Sequence, residues 1–208
     1  MTARAGTETA AANLALGHAG QPEIADLSDN NTRARAVRQF FSITRDSLLR
    51  EKWWSFAKGW ITPAADPVQS RGPLRIRYVL PDDCVRVRYL QGIGDGAWDI
   101  ESAVADMGGA QAETSVLVTN VVAPVVAITR RVVFVRLWDP VFLDAFAMEL
   151  ASRAHRKLGK SGAWASTMHA AAMERIATAS AIDSKESSRE KVVREASWAA
   201  ARRGFRYR

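Results

Sequence analysis

The apolar positions change period along the chain, and each change predicts a different element. Over residues 1–28 no period is sustained: Ala, Gly and polar residues mix irregularly and Pro22 interrupts them, so this stretch is expected as a flexible N-terminal arm. The cluster Ser28-Asp29-Asn30-Asn31-Thr32 then offers several N-caps, and Val37, Phe41, Thr44 and Leu48 follow at helical spacing, which predicts a helix with one buried stripe. Trp53, Trp54, Phe56 and Trp60 come next, an aromatic cluster expected to bury as core at one end of that helix.

From Leu74 the pattern alternates. Leu74, Ile76, Tyr78 and Leu80 are interleaved with Arg75 and Arg77, and Val85, Val87 and Tyr89 with Arg86 and Arg88, a period of two that predicts strands broken by Pro81-Asp82-Asp83. The glycines of Gly92-Ile93-Gly94-Asp95-Gly96 turn the chain toward a strand around Trp98 to Val104. Ser115 to Val121 and Val125 to Leu137, rich in β-branched residues and joined around Pro124, read as two more. A small sheet of roughly three to five strands is expected from these segments.

Helical spacing returns after Trp138. Asp139 is placed to cap and Pro140 to open a helix carrying Phe142, Phe146, Leu150, Ala154 and Leu158, with Gly159 as its stop. Ser161 can cap a third helix bearing Trp164, Met168, Ala171, Ala172, Ile176 and Ala179. Ser187 and Glu190 form a capping box ahead of Val192, Val193, Ala196 and Ala199, either a new helix or a continuation after a kink near Asp183. These elements divide the chain into the arm, 1–28; a helical body, 29–72 and 138–196; a β-rich insertion, 73–137; and a basic C-terminal tail, 197–208. The fold class expected is α+β and mainly helical: a helical bundle built from the N- and C-terminal helices, with a small antiparallel β-rich insertion.

Charge adds a class of partner. A net charge of +7 and an isoelectric point near 10.1 draw the chain toward polyanions such as nucleic acid or an acidic protein surface. Arg33, Arg35, Arg38, Arg45 and Arg50 line the first helix, read first as a solvated face and second as a contact face. The tail Arg202-Arg203-Gly204-Phe205-Arg206-Tyr207-Arg208 alternates cations with aromatics and carries no acid. With Cys84 as the only cysteine, no disulfide forms within one chain, and the fold rests on packing. The most apolar run, Val121 to Ile128, is broken by Pro124 and too short for a bilayer, and the first twenty residues lack the apolar core of a secretion signal, so a soluble protein is expected.

Tests for chemistry end without a constellation. His18, His155 and His169 make no H-x-x-x-H or H-E-x-x-H spacing, and one cysteine makes no zinc site alone. The glycine run at 92–96 lacks the Lys-Ser/Thr of a phosphate loop and is read as a hairpin turn. Cys84 lies beside Asp82 and Asp83 with no histidine near in sequence, which fits a small buried hydrophobe better than a nucleophile. Asp95, Asp99 and Glu101 are read as solvated loop charge. No catalytic, cofactor-binding or metal-binding residue is therefore expected. Binding remains, and the residues expected to carry it are Trp198, Arg202, Arg203, Phe205, Arg206, Tyr207 and Arg208.

One set of landmarks, taken in order, resembles the tail tubular protein A family of short-tailed phages, related to the head-to-tail adaptors beneath the portal. They are Leu16-Gly17, Ile24-Ala25-Asp26-Leu27-Ser28-Asp29-Asn30, Arg45-Asp46-Ser47-Leu48-Leu49, Trp54-Ser55-Phe56-Ala57, Leu80-Pro81-Asp82-Asp83-Cys84-Val85-Arg86-Val87 and Trp138-Asp139-Pro140-Val141-Phe142. The likeness spans residues 14–190 and departs from the family at Glu51-Lys52-Trp53, where a proline more often precedes the Trp, and in the long basic C-terminus. It implies a structural virion protein at the head-tail junction, made in a bacterial host's cytoplasm. The family's helical bundle with a β-rich insertion assembles as a homo-oligomeric ring, a dodecamer, around the DNA channel. The ring binds portal protein above and the tail nozzle below, genomic DNA passes through it non-specifically, and no membrane is involved. By the same analogy, the last helix and the Arg202 to Arg208 tail are expected to grip the portal. Two other functions fit parts of the sequence: a DNA-binding packaging component such as a small terminase subunit, on charge alone, and an enzyme with an unfamiliar site.

Overall fold

Large apolar residues at helical spacing, each run opened by a side-chain cap, set the two best-defined helices. The computed structural model describes residues 6–94, 96–106 and 111–186. Helix α2 runs Thr32–Glu51, with the Asn31 side chain accepting from the Ala34 N–H at 2.8 Å, and buries Val37, Phe41, Thr44 and Leu48. Helix α3 runs Pro140–Ala154, with Asp139 Oδ1 accepting from the N–H groups of Val141 and Phe142. Helix α4, Gly162–Glu186, starts where Ser161 Oγ accepts from the Trp164 N–H. The chain turns between α3 and α4 at Gly159, whose φ of +71° suits a residue without Cβ. Around Phe142 the rings of Trp54, Phe56 and Trp138 stand edge-on at centroid distances of 5.0–5.1 Å, the centre of the helical core.

The expected arm is not loose over its described part. Glu8–His18 forms helix α1, capped by Thr7, and buries Ala11, Ala12, Ala15 and Leu16 completely. It packs against α3 and α2. Asn13 pins the following loop by bonding both the N–H and the carbonyl of Ile24, at 2.9 and 3.0 Å, and Thr9 Oγ1 accepts from the Leu27 N–H. Alanines gave no amphipathic stripe to read, yet their small size is what lets the helix axes approach closely.

The expectation of a helical bundle with a small β insertion is overturned. Helix accounts for 42% and strand for 21%, and the strands form two antiparallel sheets of three rather than one small sheet. The proximal sheet, beside the helices, has the order β1-β6-β3, from Lys58–Ile61, Val126–Arg130 and Cys84–Leu90. The distal sheet has the order β2-β5-β4, from Ile76–Val79, Gln111–Thr119 and Trp98–Asp106. Val87, Leu90, Val126 and Ile128 of the proximal sheet bury against Tyr78 and Leu117 of the distal one, so the two stack face to face around a second core. Helices, proximal sheet and distal sheet are three layers of an α+β fold.

Two segments differ from their expected boundaries for identifiable reasons. β1 lies inside the stretch expected to be helical, and pairs Lys58 with Thr129 and Trp60 with Ala127. The strand expected over Val125 to Leu137 stops at Arg130, where Arg130 turns to Asp83 at 2.7 Å and Arg131 to Asp46 at 3.0 Å. A short 3-10 turn at Val135–Leu137 then leads into α3. Among the described residues, no helix is long and apolar enough to cross a membrane.

Candidate interaction surfaces

The pairing of β3 decides which side chains reach the surface. Val87 and Leu90 pair with Ile128 and Val126 and point into the sandwich, whereas Arg86 and Tyr89 pair with Thr129 and Ala127 and stand on the opposite, helix-side face with Lys58 and Trp60. On that face, beyond the end of α2, Trp53, Trp60 and Tyr89 meet edge to face. Their centroids lie 5.5 Å apart for Trp53–Tyr89 and Trp60–Tyr89 and 6.3 Å for Trp53–Trp60, over the buried Ala127. Rings this close fill the space between them, so the trio is a packed platform and not a cage for a cation. Trp53 is fixed by its indole N–H, which donates to the Ile128 carbonyl at 3.1 Å, and carries the Lys58 ammonium over its ring. Trp60 is 52% and Tyr89 37% exposed, which corrects the expectation that the whole aromatic cluster is core; only Trp54 is fully enclosed.

Arginines frame the platform. Arg88 Nη2 donates to the carbonyls of Leu49, Arg50 and Lys52 at 3.0, 3.1 and 2.8 Å, and its Nε to Thr129 Oγ1 at 2.7 Å. Arg86 adds a bond to the Arg50 carbonyl, and Arg50 reaches back to that of Val85. The Arg86 and Arg88 guanidiniums occupy the negative end of α2 and satisfy carbonyls that a helix end leaves unpaired. Burial, and then the positive charges of Arg86 and Arg50, lower the Arg88 pKa to about 10, so it stays charged at neutral pH. Among the described residues none of the three is ion-paired to a carboxylate.

The far face of the distal sheet carries both signs of charge: Arg77, ion-paired to Asp66 at 2.7 Å, shares the cross-strand row of Val118 and Asp99. Asp99 and Glu101 pair with Val118 and Val116, on the side away from the sandwich core, and both are exposed. From Gly96 to Thr119 the sequence holds four acids and no Lys or Arg. Glu101 accepts from Ser70 Oγ and Asp99 from the Ile100 N–H, and Arg71 and Arg77 line the same pocket as Glu101.

The other candidates resolve into scaffold. Of the arginines on α2, Arg38 donates to the carbonyls of Leu27 and Ser28, Arg45 pairs with Asp46 while almost fully buried, and Arg35 is exposed. Cys84 lines a cleft of about 290 Å³ with Arg50, Arg86, Trp98, Ile100 and Ser115. Burial, and then the Asp83 charge, push its thiol up to about 11, the wrong direction for a nucleophile. His169 and Arg153 both reach the buried Glu149 at 2.7 Å, and His18 and Arg175 both reach Asp144, tying α1 and α4 to α3. Among the described residues no group of His, Cys, Asp or Glu could hold a metal ion. Asp95, Trp198, Arg202, Arg203, Phe205, Arg206, Tyr207 and Arg208 lie outside the described residues, as does the capping box at Ser187.

No protein-family model matches the chain, and no curated protein matches it. The aromatic platform is the feature that the sequence reading missed. Its one legible signal was Trp60 at an alternating position two residues from Lys58, short of the pattern needed to distinguish a strand edge from core.

Proposed function

We propose that the chain is a structural virion protein, a head-to-tail adaptor of the tail tubular protein A kind. In this reading copies close into a ring, a dodecamer by the resemblance, beneath the portal. The ring joins portal to tail nozzle and leaves a channel through which genomic DNA passes without sequence-specific contact. No catalytic step is assigned to it.

The observation that carries the reading is the ordered run of motifs between residues 14 and 190, considered with what the motifs do. Asp139 caps α3, Trp54 stands against Phe142 in the helical core, and Asp83 holds Arg130 at the end of β6. The resemblance therefore lies in residues that set the scaffold, which supports the reading over a chance match of surface motifs. A small terminase subunit draws its support from the +7 charge. Arg38, Arg50 and Arg88 donate to main-chain carbonyls and Arg45 to Asp46, so donors on these guanidiniums are already engaged within the fold although the net charge stands.

Mass measurement of the full chain, alone and mixed with the portal protein encoded in the same genome, tests the reading. A ring on the portal is the expected result, and a chain that stays monomeric and unbound would refute it. Deleting Ser197 to Arg208 is expected to abolish portal attachment while the far-ultraviolet circular dichroism stays unchanged. Full attachment by the shortened chain would remove the tail from the contact.

A further inference from the structure

We propose that the cleft between β3 and the β4–β5 pair binds a small amphipathic carboxylate, one carboxyl group on an apolar body the size of a single ring. The site goes beyond the adaptor reading and does not depend on it. Its lining comes from the helix end and both sheets: Arg50 of α2, Cys84 and Arg86 of β3, Trp98 and Ile100 of β4, and Ser115 of β5. β3 is the edge strand of the proximal sheet. Ile100 stands in the row of Leu117, on the side of the distal sheet that faces the sandwich core, yet it is 40% exposed. The proximal sheet thus leaves this part of the inner face uncovered, and the cleft of about 290 Å³ lies there. That volume is at the small end of the range for ligand pockets.

Two kinds of donor in the cleft lack an acceptor. Arg50 and Arg86 are exposed, and each spends donors on one main-chain carbonyl. Among the described residues neither is paired with a carboxylate. Asp83, the acid whose charge reaches Cys84, is itself held by Arg130 at 2.7 Å. Trp98 keeps its indole Nε1 buried with no hydrogen-bond partner. A buried N–H left unpaired costs enough that native folds nearly always supply an acceptor. A carboxylate answers both needs, with an oxygen for the indole and a planar pair of oxygens that suits a guanidinium. Leu80, Val87 and Ile100 offer apolar contact to the body that carries it. Inorganic phosphate would satisfy the guanidiniums, but its hydration would be lost against those apolar walls.

The test uses the full-length chain with phenylacetate as the probe, and reads two groups of the cleft itself. One is the indole proton–nitrogen NMR signal of Trp98, assigned by its absence in Trp98→Phe; the other is alkylation by iodoacetamide of Cys84, the sole thiol. Phenylacetate is expected to shift the Trp98 signal saturably, half-way at about 1 mM, and at about 10 mM to slow alkylation at least about fivefold. Phenylacetamide, which keeps the shape and loses the charge, should bind at least about tenfold more weakly, and so should inorganic phosphate. Arg86→Gln should weaken protection of Cys84 about tenfold and Trp98→Phe about fivefold. Ile100→Trp, at an exposed position that the fold tolerates, should fill the cleft and abolish protection. An unmoved Trp98 signal with Cys84 unprotected would overturn the proposal. So would equal binding of the amide or of phosphate, or undiminished protection in the Arg86→Gln or Ile100→Trp chain.

Discussion

Replacing Arg88 by Met keeps the length of the aliphatic stem and removes the donors that hold the end of α2 to the proximal sheet. One guanidinium bonds three main-chain carbonyls at 2.8–3.1 Å and Thr129 Oγ1 at 2.7 Å. Three carbonyls sharing one nitrogen do not count as three full bonds, so the capping contact is worth about 1.5–3 kcal/mol and the threonine bond about 1 kcal/mol. Removing the cation also relieves its repulsion by Arg86 and Arg50, the like charges that help lower its pKa, and this takes part of the loss back. A net destabilisation of about 2 kcal/mol is expected for Arg88→Met and about half of that for Arg88→Lys, whose ammonium cannot span the same acceptors. With a urea slope of about 2 kcal/mol per molar, the Met variant should unfold at a midpoint about 1 M lower with the slope unchanged. Equal midpoints within about 0.2 M for all three proteins would refute the view that this guanidinium fastens helix to sheet.

Two further outcomes follow from the packing and the thiol. Ala12→Leu places a branched side chain where α1 has none of its surface exposed and should cost about 1–3 kcal/mol in urea unfolding, whereas a loose arm would absorb it without effect. Cys84, with its thiol near 11, should react with iodoacetamide at pH 8 about a hundredfold more slowly than in the urea-unfolded chain, where the thiol returns to about 9. Because the folded pKa is raised, the stability from this protonated thiol is complete below pH 9 and declines as pH rises from 9 toward 11. Reaction at equal rates in the two states would contradict the burial on which this depends.

Sequence made α2 and α3 legible because large apolar side chains recur at helical spacing and because Asn31 and Asp139 are good caps at the right places. Helix α1 was illegible for the converse reason: Ala11, Ala12 and Ala15 bury by being small, and small residues make a weak pattern. Alternation identified strands around Ile76 and Val85, but a period of two says which residues share a face and not which strand lies alongside. Pairing of β1 with β6, residues some seventy apart, is a tertiary fact, and with it went the division into two sheets. The same gap hid the platform. Whether Trp60 is core or surface depends on Ala127 and Tyr89 standing in its row, which no local window contains. The charged and aromatic tail, chosen on composition and by analogy, lies outside the described residues.

The way the chain enters and leaves the sandwich has a consequence for its descent. Residues between Lys58 and Arg130 depart from the helices along β1 and come back along β6, two strands bonded side by side. Both ends of that excursion are thus fixed at a single doorway, and a longer or shorter loop beyond it changes the closure entropy only logarithmically. Such a plan allows the excursion to be regrafted or resized between relatives while the helices keep their register, so a lineage can change its outward contacts without refounding its core.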